Sequence, residues 1–173
     1  PRLNSSAASD VYKRQVEDAL KKEADIKVLA FVHAETSTGV RNDAKRLCEL
    51  AKQYDCLSIV DAVTSLGGIE LDVDGWGIDA IYSGSQKCLS CVPGISPVSF
   101  SDRAVHVIQN RKTKVQSWFL DMNLIVGYWG KGAKRAYHHT APVNSMYAFY
   151  EALLILKEEG LENSLQRHQT GHN

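Results

Sequence analysis

The stretch Ile26–His33, IKVLAFVH, is an almost continuous apolar run of the length of one buried strand. A run of this kind is typical of parallel sheets that are covered on both faces. An amphipathic pattern follows it, begins at a cap formed by Asn42 or Asp43, and predicts a helix to about Tyr54. A second short apolar run, Leu57–Asp61 or LSIVD, then predicts another strand. The strand–helix–strand order indicates parallel pairing.

The same alternation continues towards the C-terminus. Strands are predicted at Asp79–Ser83 and Ile95–Phe100, and the end of an earlier helix at Val16–Ala24. Further helices are predicted at about residues 102–111, 121–128, 145–158 and 161–169. Strands that alternate with helices predict an α/β fold with a mostly parallel sheet covered by helices on both faces.

Composition excludes several classes of protein. The 173 residues include 20 basic and 20 acidic side chains, 44% are hydrophobic and 23% are charged, which is typical of a globular domain. The formal net charge of zero argues against a protein that binds nucleic acid by neutralising phosphates. The longest apolar runs are too short to span a bilayer, so no membrane association is expected.

The two ends of the chain depart from this pattern. Residues 1–15 are small and polar without an apolar period, resemble translated adapter sequence, and are predicted to be a non-native tail. Residues 16–173 are predicted to be a fragment of one larger domain, incomplete at both ends, because the last helical pattern is still running near the C-terminus. The sequence shows no secretory leader.

Cysteines and adjacent histidines raise the question of a metal site. A neutral chain of this length without a leader favours free thiols over a disulfide framework. Cys88 and Cys91 would need a second ligand pair to bind zinc, and Cys48 and Cys56 have the wrong spacing. Adjacent His138 and His139 are expected to point in opposite directions along an extended chain. We therefore expect no metal site.

Chemically active side chains follow two of the predicted strands. Ligands of α/β sheets bind at the carboxyl ends of strands, where Asp61 and the segment Ser83–Lys87, SGSQK, are found. Asp61 is either a turn former or a carboxylate directed into a cleft. Lys87 is either a solvated loop residue or a desolvated amine that forms a Schiff base. An aspartate for a pyridinium nitrogen and a lysine for an aldehyde carbon are together the protein's part of pyridoxal-phosphate chemistry.

An ordered set of motifs extends this pair. It comprises ETSTG at 35–39, DAVTSLGG at 61–68, GIDAIYSGSQK at 77–87, Pro93-Gly94 and Ser99–Asp102. From about Val16 to Gln169 the chain resembles the class V pyridoxal-phosphate-dependent aminotransferases. YHHTAP at 137–142 and EGLEN at 159–163 favour the alanine–glyoxylate (serine–pyruvate) branch. The resemblance implies the central part of the large domain of a fold-type I enzyme.

The resemblance also implies roles for individual residues. Lys87 would form the Schiff base, Asp61 would pair with the pyridine nitrogen, and Val63 would lie under the ring. Thr36 would place a hydroxyl near the ring, and Gln86 would bind the phosphate.

Two further residues imply an assembly. Tyr137 and Thr140 would reach the cofactor phosphate of a neighbouring subunit, which implies a homodimer.

The implied activity is ping-pong transamination through a Lys87 aldimine. The amino group would pass from alanine, or serine, to glyoxylate and give glycine and a keto acid. An intracellular location, cytoplasmic or peroxisomal, is expected. The family's phosphate loop, ring-stacking aromatic and carboxylate-binding arginine have no counterpart here, so the fragment alone is expected to be inactive.

Other interpretations remain open. A serine–glyoxylate or 2-aminoethylphosphonate transaminase, or a cysteine desulfurase, would share the Asp61 and Lys87 pattern. YHHTAP disfavours the phosphonate enzymes, and no residue can be assigned as the catalytic cysteine of a desulfurase. A truncated product that binds no cofactor is the non-enzymatic alternative.

Overall fold

The computed structural model describes residues 5–129 and 136–172. The helices are α1 Ser5–Lys22, α2 Ala44–Gln53, α3 Asp102–Gln109, α4 Met122–Trp129, α5 Val143–Glu159 and α6 Leu161–His172. The strands are β1 Val28–Val32, β2 Ala34–Glu35, β3 Val40–Arg41, β4 Leu57–Asp61, β5 Ala80–Tyr82 and β6 Val98–Phe100.

The main sheet has the strand order β1-β4-β5-β6. β1, β4 and β5 are parallel, and β6 is antiparallel to β5. The register places Asp61 between Val32 on one side and Tyr82 on the other, so three strands end at one level. Strands β2 and β3 form a separate antiparallel hairpin directly after β1. The predicted α/β fold with a mostly parallel sheet is thereby confirmed.

Helix α2 packs its apolar face against the sheet. Asp43 caps it by accepting a hydrogen bond from the backbone nitrogen of Arg46 at 3.1 Å, and the helix ends before Tyr54. Leu47 and Leu50 from the helix and Val60 from β4 are fully buried in the core. The predicted helix and its cap are confirmed, because both depend on local signals.

Asp79 organises the opposite, amino edge of the sheet. Its side chain is buried and accepts hydrogen bonds from the backbone nitrogen of Ser58 at 3.0 Å and from Ser101 Oγ at 2.9 Å. Arg103 completes the cluster with a 2.9 Å ion pair to Asp79 and a 3.1 Å pair to exposed Asp55. This amino-edge cluster ties β4, β5 and the start of α3 together.

Several predicted boundaries differ from the structure. The fourth strand starts at Val98 instead of Ile95, since Pro97 has no N–H to donate to a ladder. Helix α1 begins at Ser5, inside the predicted tail, and ends at Lys22. That residues 1–15 are non-native stays a prediction. Within residues 5–129 and 136–172, no helix combines the length and apolar character needed to cross a membrane.

Candidate functional site

Three turns meet at the carboxyl edge of the parallel strands. The turn after β4 contacts the turn after β1, because Thr64 Oγ1 donates a 2.5 Å hydrogen bond to the Ala34 carbonyl. It contacts the turn after β5 through Ser83 Oγ, which donates to the Ala62 carbonyl at 2.9 Å. Cys88 Sγ adds a longer contact of 3.5 Å to the Thr64 carbonyl. The turns that carry Thr36, Asp61 and Lys87 therefore form one continuous surface.

Asp61 is the last residue of β4 and is half-buried. Its Oδ1 accepts a hydrogen bond from the Val63 backbone nitrogen at 2.9 Å, and its Oδ2 accepts one from Tyr82 Oη at 2.7 Å. The carboxylate is thus a turn former at the carboxyl edge of the sheet, and its direction into a cleft stays a prediction. The hydrogen bond to Asp61 raises the pKa of Tyr82, because it stabilises the neutral phenol.

Hydrogen bonds of a buried serine hold the turn that carries Lys87. Ser85 is fully buried, donates from Oγ to the Val92 carbonyl at 2.6 Å, and donates from its backbone nitrogen to the Ile95 carbonyl at 3.0 Å. The side chains of Lys87 and Gln86 are exposed. Lys87 is therefore accessible in the described part of the chain, and its role as a Schiff-base amine stays a prediction.

Gln86 lies back over Gly84. A β-carbon at Gly84 would come within 2.8 Å of Gln86 Oε1, so a larger residue there would displace the end of this flexible, exposed side chain. The amide of Gln86 therefore lies close to the backbone that enters the Lys87 turn. Its predicted contact with a phosphate stays a prediction.

Helix α6 supports the site from a distant part of the sequence. Ser164, fully buried, donates from Oγ to the Gly67 carbonyl at 2.8 Å. A side chain at Gly68 would overlap Cys88 Sγ, which follows Lys87 directly. No local sequence signal predicts this contact, because the glycine pair at 67–68 does not indicate which distant helix it meets.

Thr36 and Val63 lie on the turns beside Asp61. Thr36 is exposed at the tip of the β2–β3 hairpin, where Gly39 adopts a φ of 70°. Val63 is half-buried and contributes its backbone nitrogen to Asp61. Their predicted contacts with a cofactor ring stay predictions.

His33 is a buried polar residue at the same edge. Its side chain is 2% exposed, packs edge-to-face against Trp76 at 5.8 Å, and leaves Nδ1 without a hydrogen-bond partner. Burial, reinforced by the charge of Arg41, lowers the pKa of His33 to about 4. The imidazole is therefore neutral in the folded chain at physiological pH.

Tyr137 and Thr140 bond to each other, with 2.5 Å between their hydroxyl oxygens. No hydrogen bond within residues 5–129 and 136–172 joins either of them to Asp61 or Lys87. Their segment is anchored by His138, which stacks on Trp118 at 4.1 Å and bonds to the Trp118 carbonyl at 3.0 Å.

The predicted opposite orientation of His138 and His139 is wrong. The segment is not a strand, and the two Nδ1 atoms are 2.8 Å apart. In the described part of the chain, no group of three or more His, Cys, Asp or Glu residues is arranged to hold a metal ion. All four cysteines are free.

The sequence matches the aminotransferase class-V family model over residues 5–173, and the chain belongs to that family. Membership implies pyridoxal phosphate as the cofactor, and the carboxylate and amine at the carboxyl edge are the groups that it requires.

Individual relatives refine this assignment. The alanine–glyoxylate aminotransferase of Callithrix jacchus is 45% identical over 157 residues, which are 90% of this chain and 38% of that protein. The (S)-ureidoglycine–glyoxylate transaminase of Bacillus subtilis is 36% identical over 166 residues, covering 86% and 39% of the two chains. The crystal structure of an alanine–glyoxylate aminotransferase from Nostoc sp. superposes with a TM-score of 0.85 at 49% identity, covering 91% and 41%. The chain thus spans about two fifths of the length of these relatives.

Proposed function

We propose that this chain is the cofactor-binding part of an aminotransferase that transfers an amino group to glyoxylate with pyridoxal phosphate. The observation that carries the proposal is the placement of Asp61. Its carboxylate ends a central parallel strand, is oriented by Tyr82 and Val63, and lies on a surface shared with the Lys87 turn. Position and chemistry therefore agree with the family.

The side chains at this edge suit pyridoxal phosphate. An ionised carboxylate can only accept hydrogen bonds, so Asp61 suits a protonated pyridine nitrogen. The exposed amine of Lys87 is free to reach an aldehyde, and Gln86 offers an amide donor beside it. When bound, the cofactor supplies an electron-accepting ring that stabilises negative charge on the substrate carbon.

We propose that Lys87 transfers the proton of the amino donor. Its amine would take the proton from the Cα atom of the amino donor, as base, and would then deliver it, as acid, to the cofactor carbon that carried the aldehyde. The support is the mobility of a long side chain on a turn whose backbone is fixed by Ser85 and by the 2.9 Å hydrogen bond from Ser90 N to the Lys87 carbonyl. A fixed backbone with a flexible side chain would let the amine reach both carbon atoms.

Glyoxylate is the substrate that we propose with the strongest support. Two of the relatives above share it in their names and differ in the amino donor. The YHHTAP and EGLEN segments favour the alanine–glyoxylate (serine–pyruvate) branch, so we propose alanine or serine as the donor.

We also propose that residues 16–173 are the central part of a large domain whose complete chain forms a homodimer. The match to about two fifths of each relative supports the first point. Tyr137 is 73% exposed and packs against Tyr128 at 6.3 Å, and the next residue, His138, stacks on exposed Trp118, which supports a surface that meets a second subunit. The four free cysteines fit an intracellular location, cytoplasmic or peroxisomal.

Lys87→Ala in the complete chain tests the proposal. We expect turnover of alanine and glyoxylate to fall by several orders of magnitude, because no other group replaces the amine, while Lys52→Ala, on the exposed side of α2, keeps normal turnover. Borohydride reduction of the wild-type protein should attach the cofactor to the peptide that contains Lys87. Label on another lysine, or an active Lys87→Ala variant, would refute the assignment.

A further inference from the structure

Tyr82 is the one side chain that reaches Asp61 from a neighbouring strand in the described part of the chain. The parallel register pairs Asp61 directly with Tyr82, so both side chains lie on the same face at the carboxyl edge. Tyr82 Oη donates to Asp61 Oδ2 at 2.7 Å, a short distance that is typical of a hydroxyl bonded to a carboxylate. The phenol is 40% exposed, so burial alone does not explain its place.

The two oxygens of Asp61 have separate donors. The backbone nitrogen of Val63 holds Oδ1 at 2.9 Å, and Tyr82 holds Oδ2. One donor alone would leave the carboxylate free to rotate about its Cβ–Cγ bond, because such terminal torsions are broad. Two donors from different directions fix the plane of the group and leave further acceptor positions on both oxygens.

We infer that Tyr82 is a positioning residue that fixes the Asp61 carboxylate in the orientation in which it meets the cofactor's ring nitrogen, an inference that rests on the function proposed above. Tyr82 acts on the cofactor only through Asp61. Its loss should therefore matter for a cofactor that has a ring nitrogen and should not matter for one that lacks it. A general disturbance of the sheet would affect both equally.

The test compares two ligands and four variants of the complete chain. The ligands are pyridoxal phosphate and its analogue in which a C–H group replaces the ring nitrogen. The variants are Tyr82→Phe, Asp61→Asn, the double variant that combines these two and, as a matched control, Tyr150→Phe on the exposed side of α5. Dissociation constants are measured by titrating the cofactor-free protein and following absorbance, so the readout does not depend on turnover.

Tyr82→Phe should weaken pyridoxal phosphate binding about tenfold, as expected for one lost hydrogen bond to a charged group, and leave analogue binding unchanged. Adding Tyr82→Phe to Asp61→Asn should cause no further loss, and Tyr150→Phe should behave as wild type. Equal losses for both ligands, or no loss with pyridoxal phosphate, would overturn the role of Tyr82. If the wild type binds pyridoxal phosphate but Lys87 is not labelled by borohydride, the proposed function fails separately, and a wild type that binds neither ligand overturns both.

Discussion

Two aspartates at opposite edges of the same sheet differ in how their charge is balanced. Asp79, at the amino edge, is 5% exposed, pairs with Arg103 and accepts from Ser58 and Ser101. Asp61, at the carboxyl edge, is half-buried and accepts from a phenol and one backbone nitrogen. No basic side chain of the described residues forms an ion pair with Asp61.

The difference separates a structural carboxylate from one that is ready for a ligand. A buried charge is tolerated when a cation and hydrogen-bond donors from its own chain surround it, as at Asp79. Asp61 has oriented oxygens and no cation of its own, so a positively charged group from outside would complete its environment. Because the two groups belong to neighbouring strands of one core, the comparison can be tested within a single protein.

Arg103→Leu should have the largest effect on stability. The substitution leaves the Asp79 carboxylate buried with neutral donors only, and we expect the free energy of unfolding to fall by about 3 to 4 kcal/mol. Urea denaturation measures this value. Arg46→Leu is the matched control, since its pair with Glu49 is on the surface and should contribute less than about 1 kcal/mol. A similar small loss for both variants would show that Asp79 does not depend on its cation.

Acid should weaken the carboxyl edge through His33. The pKa of His33 is lowered from 6.5 to about 4, so between these values the unfolded chain binds a proton that the folded chain does not. The contribution of neutral His33 to stability is therefore fully present above pH 6.5 and is lost as the pH drops towards 4, by about 3 kcal/mol in total.

Unfolding curves of the wild type and of His33→Phe across this pH range measure the effect. The variant should lose most of the slope, whereas His106→Gln, at an exposed position of α3, should keep it. An unchanged slope in His33→Phe would assign the acid sensitivity to other groups.

Asp61→Asn should affect the cofactor more than the fold. We expect the free energy of unfolding to change by less than about 1 kcal/mol, because the amide oxygen can still accept a hydrogen bond. Pyridoxal phosphate affinity should fall about tenfold to a hundredfold through the loss of a charge-assisted bond to the ring nitrogen. A variant that unfolds easily but binds the cofactor normally would reverse the roles that we assign to Asp61 and Asp79.

Local signals were sufficient for much of this fold. The run LSIVD became β4 with identical ends, and Asp43 capped α2 as expected, because apolar runs and caps act within a few residues. Asp61 and Lys87 were predicted as site residues from equally local signals, as polar residues after buried strands, and their roles stay predictions. What the sequence could not supply is how side chains meet across strands.

The Tyr82–Asp61 hydrogen bond illustrates this limit. It depends on a register between β4 and β5, and a shift of one residue would turn Tyr82 to the other face. The exposure of Lys87 and the contact between His138 and His139 likewise depend on surroundings that no short motif encodes. Sequence pattern and spacing predicted the candidate residues, whereas packing determines the contacts between their side chains.

The contact between α6 and the Gly67 turn has a consequence for the order of events on the ribosome. Ser164 is 97 residues beyond Gly67, so this hydrogen bond closes a long loop. Strands β1 and β4 with the intervening α2 can pair soon after they are synthesised, because their contacts are short in sequence. The Gly67 turn gains its support only after α6 has emerged, so this edge of the sheet matures later than the pair of β1 and β4. A chain that stops before α6 would carry Asp61 and Lys87 without the helix that supports the turns between them.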